Sequence, residues 1–113
     1  MDLFLAFTVD FSAGHSVHRG QPSRPHGHNW IVEATTTDPH DWALYDALVA
    51  VCLELKERPL EEMLAGGDPS AHGLGIWIME RLLLGHPKVI RIEVTESRGV
   101  KAIVTRELRG PTK

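Results

Sequence analysis

The sequence of 113 residues has a single cysteine, no run of lysine or arginine, and no long apolar segment. One thiol excludes an internal disulfide, and Cys52 lies within an apolar helical pattern that predicts a small buried residue rather than a reactive one. The formal net charge of -3 and the missing basic stripe argue against a nucleic-acid partner, since phosphate binding needs clustered cations. No stretch approaches the ~20 apolar residues of a membrane-spanning helix.

The first residues lack the basic segment that opens a secretory signal peptide, and Asp10 interrupts their apolar pattern early. We therefore expect a cytoplasmic protein without a membrane partner. Hydrophobic residues make up 42% and charged residues 24% of the sequence, which is the balance of an ordinary globular protein. Because a chain of this length has material for one core, we expect residues 1–113 to form a single domain.

Alternating apolar residues predict two strands at the start of the chain. The first strand turns five apolar side chains to one face: Leu3, Leu5, Phe7, Val9 and Phe11. Glycine, proline, serine and arginine then predict a loop over residues 14–25. The alternation resumes in a second strand, which is expected to pair with the first and whose inward positions are Trp30, Val32, Ala34 and Thr36.

Two later segments carry apolar residues at the 3.6-residue spacing of amphipathic helices. The first is expected to end near Pro59, and its inward positions are Leu44, Leu48, Val51 and Leu55. The second is expected to be capped by Asp68 or Ser70, and its inward positions are Leu74, Trp77, Ile78 and Leu82. A third strand is predicted to share one face among Ile90, Ile92 and Val94, and a fourth covers residues 100–106.

This order of elements, ββααββ, predicts an α+β fold in which both helices pack on one face of a four-stranded antiparallel sheet. Such a small sheet has two open edges. Natural proteins pair or cover open edges, so the pattern also predicts edge-to-edge oligomerisation.

Three histidines are predicted to converge at one end of the first two strands. His26 and His28 are two positions apart, which places them on the same side of a strand. His15 follows the predicted end of the first strand, and antiparallel pairing brings that end back beside them. Three neutral imidazoles that leave one coordination position open form a catalytic zinc site, and the alternative is three surface histidines. The loop histidines are expected to be solvated: His18, His40 and His86.

The two segments that carry these histidines have specific motifs. FSAGH at residues 11–15 and HGHNW at residues 26–30 resemble the FSAAH and HGHNY signatures of the 6-pyruvoyl- and 6-carboxytetrahydropterin synthases. VTES at residues 94–97 resembles the ET motif of that family, and PSAHGLG at residues 69–75 resembles its PTSENLA segment. The resemblance implies the tunnelling fold, which has the order of elements derived above.

The resemblance extends from Leu3 to Arg106 and implies roles for individual residues. The implied zinc ligands are His15, His26 and His28, and the implied pocket residues are Glu96, Ser70 and Ala71. Glu96 would hold a pterin ring through its 2-amino group and the adjacent ring N–H, because a carboxylate offers two acceptors to such a pair of donors. The alternative is a strand-end glutamate exposed to water.

Four positions depart from the family pattern. Pro22, which has no ionisable group, stands where the family has the cysteine that acts as general base. Leu60 and Glu61 stand where the family has an aspartate and a histidine that relay protons. Loss of residues that act as a unit costs orders of magnitude in rate, so the standard synthase reaction is predicted to be absent. His72 replaces a pocket glutamate and is either a substitute acid or base or a solvent-facing helix residue.

The sequence therefore predicts a pterin-binding homologue of 6-pyruvoyl-tetrahydropterin synthase that acts on a different reduced pterin or on a purine-derived substrate. The alternative is a noncatalytic partner or sensor subunit that binds a pterin or a metal. The resemblance further implies a homohexamer built as a dimer of trimers, and zinc as the cofactor, with its occupancy left open.

Overall fold

The computed structural model describes residues 2–15, 26–56, 70–96 and 99–107, without the side chains of residues 13–15 and 26–28. Within these ranges the elements follow the predicted order. They are strand β1 (Leu5–His15), strand β2 (His26–Thr36), helix α1 (Ala43–Lys56), helix α2 (Ala71–Leu83), strand β3 (Val89–Glu96) and strand β4 (Lys101–Thr105). The predicted α+β fold is confirmed.

The four strands form one antiparallel sheet in the order β1-β2-β3-β4, so that β1 and β4 are its edges. The first hairpin is longer than predicted, because β1 continues to His15 and β2 begins at His26. Gly14 therefore lies in a strand, where it is the Cα partner of Gly27. The apolar alternation stops at Phe11, and a pattern of apolar residues cannot reveal a strand that continues beyond the core.

The core lies between the two helices and one face of the sheet. β1 contributes Phe11, which is buried, with Phe7 and Val9 packed against the core. The largest fully buried side chains are Trp30, Leu44, Leu48, Leu55, Leu74, Ile78, Leu82, Ile92, Val32, Val89 and Val94. Cys52 is 2% exposed, and burial raises the pKa of its thiol to about 12 because a thiolate is poorly solvated there. The prediction of a small buried cysteine is confirmed.

The predicted inward face of β3 is wrong at its first residue. Ile90 was expected to point inward with Ile92, but Val89 is the residue that is fully buried, and Ile90 is half-buried. The register between β2 and β3 shifts between Thr35 and Thr36, so that Thr36 is the partner of Val89. A bulge of this kind changes which face a side chain occupies. Leu3, also expected inward, precedes β1 and is 66% exposed.

His86 is not the solvated loop residue that the sequence predicts. Its Nδ1 lies 2.6 Å from Oδ2 of Asp41, and the two side chains are only 16% and 14% exposed. The pair joins the turn after α2 to the loop before α1. His40 is exposed, as predicted, and His18 lies outside the described residues.

The sheet face away from the helices carries ion pairs within β3 and between neighbouring strands. Arg91 Nη1 lies 3.3 Å from Glu33 Oε1 and 3.5 Å from Glu93 Oε2. Lys101 Nζ lies 2.9 Å from Glu93 Oε1. The hydrogen bond from Lys101 is the main cause that holds the pKa of Glu93 below its ordinary value.

Helix α2 runs antiparallel to β3, because only residues 84–88 separate the two. The start of α2 therefore lies over the end of β3 that carries Glu96. The approach is close at Gly75, where an added Cβ would lie 2.9 Å from Val104 Cγ2 and 3.6 Å from Val94 Cγ2. Among the described residues, no helix has the length and apolar character needed to cross a membrane.

We predict that Gly75→Ala lowers the free energy of unfolding by about 1–3 kcal/mol, because the new methyl group must displace Val104 in a packed interface. The intrinsic preference of a helix for alanine over glycine acts in the opposite direction and offsets only part of this loss. Urea denaturation measures the difference. Gly85→Ala is the matched control, since an added Cβ there meets nothing within 4 Å. Equal stability of the two variants would contradict the close approach of α2 to the sheet.

Candidate functional site

The three predicted metal ligands lie at one end of the β1–β2 hairpin. His15 and His26 are direct Cα partners, and His28 is the partner of Ala13. The backbone therefore brings three imidazole-bearing residues into two nearby rows of the hairpin. Their side chains are outside what the structure describes, so coordination of a metal stays a prediction. Among the side chains that are described, no group of three or more His, Cys, Asp or Glu residues can hold a metal ion.

Glu96 lies close to His28 in the register of the sheet. Phe11 is the partner of Trp30, and Trp30 is the partner of Glu96, so the three residues form one row across three strands. Trp30 and His28 are two positions apart on β2, which corresponds to about 7 Å along a strand. Glu96 is half-buried. It also closes the turn to β4, where its N–H donates to Val100 O at 2.8 Å and its carbonyl accepts from Gly99 N at 2.9 Å.

The start of helix α2 supplies the remaining predicted pocket residues. Ser70 is the N-cap, and its Oγ accepts a hydrogen bond from the Gly73 N–H at 3.2 Å. The first bond within the helix runs from Leu74 N to Ser70 O at 2.9 Å. Ala71 is 3% exposed and packs in the core, whereas His72 is exposed. Because α2 is antiparallel to β3, these residues lie at the same end of the sheet as Glu96.

One end of the sheet thus brings together the backbones of the three histidines, the Glu96 side chain and the first turn of α2. Of the four positions at which the sequence departs from the family pattern, His72 is described, and three lie outside the described residues: Pro22, Leu60 and Glu61. The His86 and Asp41 pair lies at the opposite end, where β2 ends and β3 begins. It therefore takes no part in the candidate site.

Sequence reasoning missed one polar contact beside the site. Ser12 Oγ donates to Asn29 Oδ1 at 2.7 Å, and the two residues are Cα partners. They border an open cleft of about 520 Å³, whose lining residues are Asp10, Phe11, Ser12, Asn29 and Ile31. The available signal was that Ser12 and Asn29 are the polar residues, other than histidine, of the FSAGH and HGHNW motifs.

Comparison with known proteins leads to the same family as the sequence motifs. A family model described as 6-pyruvoyl tetrahydropterin synthase matches residues 5–107. The chain belongs to the 6-pyruvoyl tetrahydropterin synthase family. This membership confirms the resemblance seen in the motifs, and the order and pairing of the strands match the tunnelling fold of the family. No curated protein sequence matches the chain.

Solved structures of 6-pyruvoyl tetrahydropterin synthases are similar in fold. The Caenorhabditis elegans protein has a TM-score of 0.77 and 16% sequence identity, and the match covers 93% of this chain and 96% of that one. The Plasmodium vivax protein has a TM-score of 0.60 and 19% identity, with 95% and 100% covered. The Plasmodium falciparum protein has a TM-score of 0.59 and 17% identity, with 93% and 99% covered. Identities this low show a common fold and leave the activity of this chain to its own residues.

We predict that Ser70→Ala lowers the free energy of unfolding by about 1 kcal/mol, because the Gly73 N–H loses its acceptor at the start of α2. Ser70→Asp keeps an acceptor oxygen at the N-cap and should retain the stability of the unaltered protein. Thermal or urea unfolding measures both. His72→Ala serves as the control in the same turn, since an exposed side chain should contribute less than about 0.5 kcal/mol. A Ser70→Ala variant as stable as that control would show that the cap is dispensable.

Proposed function

We propose that this family member binds a reduced pterin, or a related purine-derived heterocycle, at the Glu96 end of the sheet and does not catalyse the standard synthase reaction. The observation that carries the proposal is the position of Glu96. It is a half-buried carboxylate at the end of β3, in one row with Trp30 and at the same end as the start of α2.

A carboxylate suits the edge of a flat heterocycle that carries an amino group beside a ring N–H. Its two oxygens accept a pair of parallel hydrogen bonds, and such charge-assisted bonds are roughly twice as strong as neutral ones. The row position supports this role, since the other two residues of the row, Phe11 and Trp30, are buried beneath the helices. Glu96 thus lies at the border of the core that the helices cover, where its side chain can contact a ligand.

The first turn of α2 offers the complementary donors. Leu74 makes the first bond within the helix, and Gly73 donates to the cap. The backbone N–H groups of Ala71 and His72 are therefore the donors that the helix itself does not use. We propose that a ring carbonyl or another electron-rich edge of the ligand accepts from them, with Ser70 holding the turn in place. This role depends on the backbone and tolerates a change of side chain.

The proposed loss of the standard reaction follows from the chemistry of three side chains. Pro22 cannot remove a proton, and Leu60 cannot belong to a proton relay. Glu61 can carry a proton, but a relay needs two such residues, and Leu60 stands at the position of the second. His72 is exposed at the start of α2, where we propose that it serves as the acid or base of any remaining chemistry on a bound ligand.

We further propose that His15, His26 and His28 bind zinc. The fit rests on the register that makes His15 and His26 direct partners and on the preference of zinc for imidazole nitrogens. When bound, a zinc ion with three imidazole ligands and one open position would polarise an oxygen of the ligand. The backbone of His28 lies two positions along β2 from Trp30, the partner of Glu96, which corresponds to about 7 Å.

Within the described residues β1 and β4 are the edge strands of the sheet, which supports assembly from several copies. We propose a homohexamer arranged as a dimer of trimers, as the family resemblance implies. Binding measurements therefore apply to the assembled protein rather than to a separated chain.

We predict that the protein binds neopterin or sepiapterin, and that Glu96→Ala weakens binding about 10-fold or more through loss of a charged hydrogen-bond pair. Isothermal titration or pterin fluorescence measures the dissociation constant. Glu93→Ala is the matched control, since Glu93 lies on the same strand but on the opposite face, paired with Lys101. Equal affinity of the Glu96 and Glu93 variants would remove Glu96 from the site.

Turnover separates the proposed function from its alternatives. Standard synthase activity on a pterin triphosphate would contradict the loss proposed from Pro22 and Leu60. Conversion of another reduced pterin or of a purine-derived substrate, with the rate lowered in His72→Ala, would support an altered enzyme. Pterin binding without conversion of any of these compounds would instead favour the noncatalytic partner or sensor subunit, which the replacement of the general base by Pro22 also favours.

We predict that protein purified without chelator contains about one zinc ion per chain, and that His28→Ala loses it. Elemental analysis by mass spectrometry gives the stoichiometry. His40→Ala controls for nonspecific binding by an exposed loop histidine. A clearly substoichiometric content of every transition metal in the unaltered protein would reject the site.

A further inference from the structure

The predicted metal end of the hairpin extends beyond the four-stranded sheet. β3 ends at Glu96, which is the partner of Trp30. β1 and β2 continue together for four more pairs, from Ser12 and Asn29 to His15 and His26. We call this segment the two-stranded ribbon (residues 12–15 and 26–29). The backbone positions of all three histidines lie in it.

Within the described part of the chain, few contacts fix the register of the ribbon. Two strands without a third are marginally stable in water. Gly14 and Gly27 are partners in its middle, so this pair contributes no side-chain contact. Ten residues separate His15 from His26 in the sequence, and a connection of that length does not fix register as a two-residue turn does.

Ser12 and Asn29 are the first pair of the ribbon. The Ser12 hydroxyl donates to Asn29 Oδ1 at 2.7 Å across the two strands. Both side chains are exposed and lie on the face opposite Phe11 and Trp30, which are buried in the preceding row. The core fixes the register as far as Phe11 and Trp30. The hydrogen bond extends that register by one residue pair, on the sheet face opposite the core.

We propose that the hydrogen bond between Ser12 and Asn29 sets the register of the ribbon and thereby positions His15, His26 and His28 for a shared metal ion. The two residues are positioning residues and not ligands. A slip of one residue would move His15 away from His26 and reverse the faces of the strand. The inference rests on the proposed zinc site and explains why a serine and an asparagine stand beside the histidines in the two motifs.

The test compares zinc affinity among variants by competition with a chromophoric chelator. Ser12→Ala and Asn29→Ala should each weaken zinc binding about five- to tenfold, which is the loss expected from one hydrogen bond. The double variant should be no weaker than either single one, since both substitutions remove the same bond. Ser12→Thr keeps the hydroxyl and should restore the affinity. Thr8→Ala, an exposed position on the same face of β1, should leave it unchanged.

A second measurement separates positioning from simple stabilisation. Cobalt substituted for zinc reports the geometry of its ligands through its visible absorption. Ser12→Ala should weaken and shift the tetrahedral bands at a temperature where circular dichroism shows the protein folded, and Ser12→Thr should retain them. A role confined to stability would lower the unfolding temperature and leave both the cobalt bands and the zinc affinity of the folded protein as they were, which would overturn the inference.

The outcomes also distinguish the inference from the proposed function. If the unaltered protein takes up neither zinc nor cobalt, the proposed metal site is wrong and the positioning role is wrong with it. If it binds metal and the Ser12 and Asn29 variants bind equally well, the metal site stands and only the positioning role is overturned.

Discussion

The antiparallel register of the sheet is the constraint on which the rest of this structure depends. Burial of one sheet face beneath α1 and α2 fixes that register, because a slip of one residue would expose the whole apolar set. Phe11, Trp30 and Glu96 form the row where this constraint ends. Two members of the row belong to the core, and the third is the proposed ligand anchor. The packing of the core therefore determines where the proposed ligand site lies.

The elements with strong periodicity were predictable from the sequence alone. Strands with alternating apolar residues and helices with 3.6-residue spacing follow directly from which face must be buried. The features that the pattern missed depend on contacts between distant segments: the continuation of β1 to His15, the bulge that buries Val89, and the pairing of His86 with Asp41. The motifs pointed to the candidate site. Roles could be predicted only for residues with evident metal-binding or charged side chains, so Ser12 and Asn29 were missed.

Several hydrogen bonds join the loops to the sheet at the end away from the candidate site. At the end away from the candidate site, His86 meets Asp41, and Arg106 donates to the carbonyl oxygens of Pro87 and Val89 at 2.7 and 2.9 Å. Thr37 N donates to Lys88 O at 3.0 Å. These bonds join the loops to the sheet. Solved structures at 16–19% identity share the fold.

The unequal lengths of the two sheet edges restrict how copies of this chain can join. β1 has eleven residues and β4 has five. If every residue of β4 were hydrogen-bonded to β1 of a neighbouring molecule, six residues of β1 (eleven less five) would still have no counterpart. A ring of identical chains would then leave part of each β1 edge without a strand beside it. The backbone N–H and C=O groups of that part would stay available to a bound molecule or to another segment.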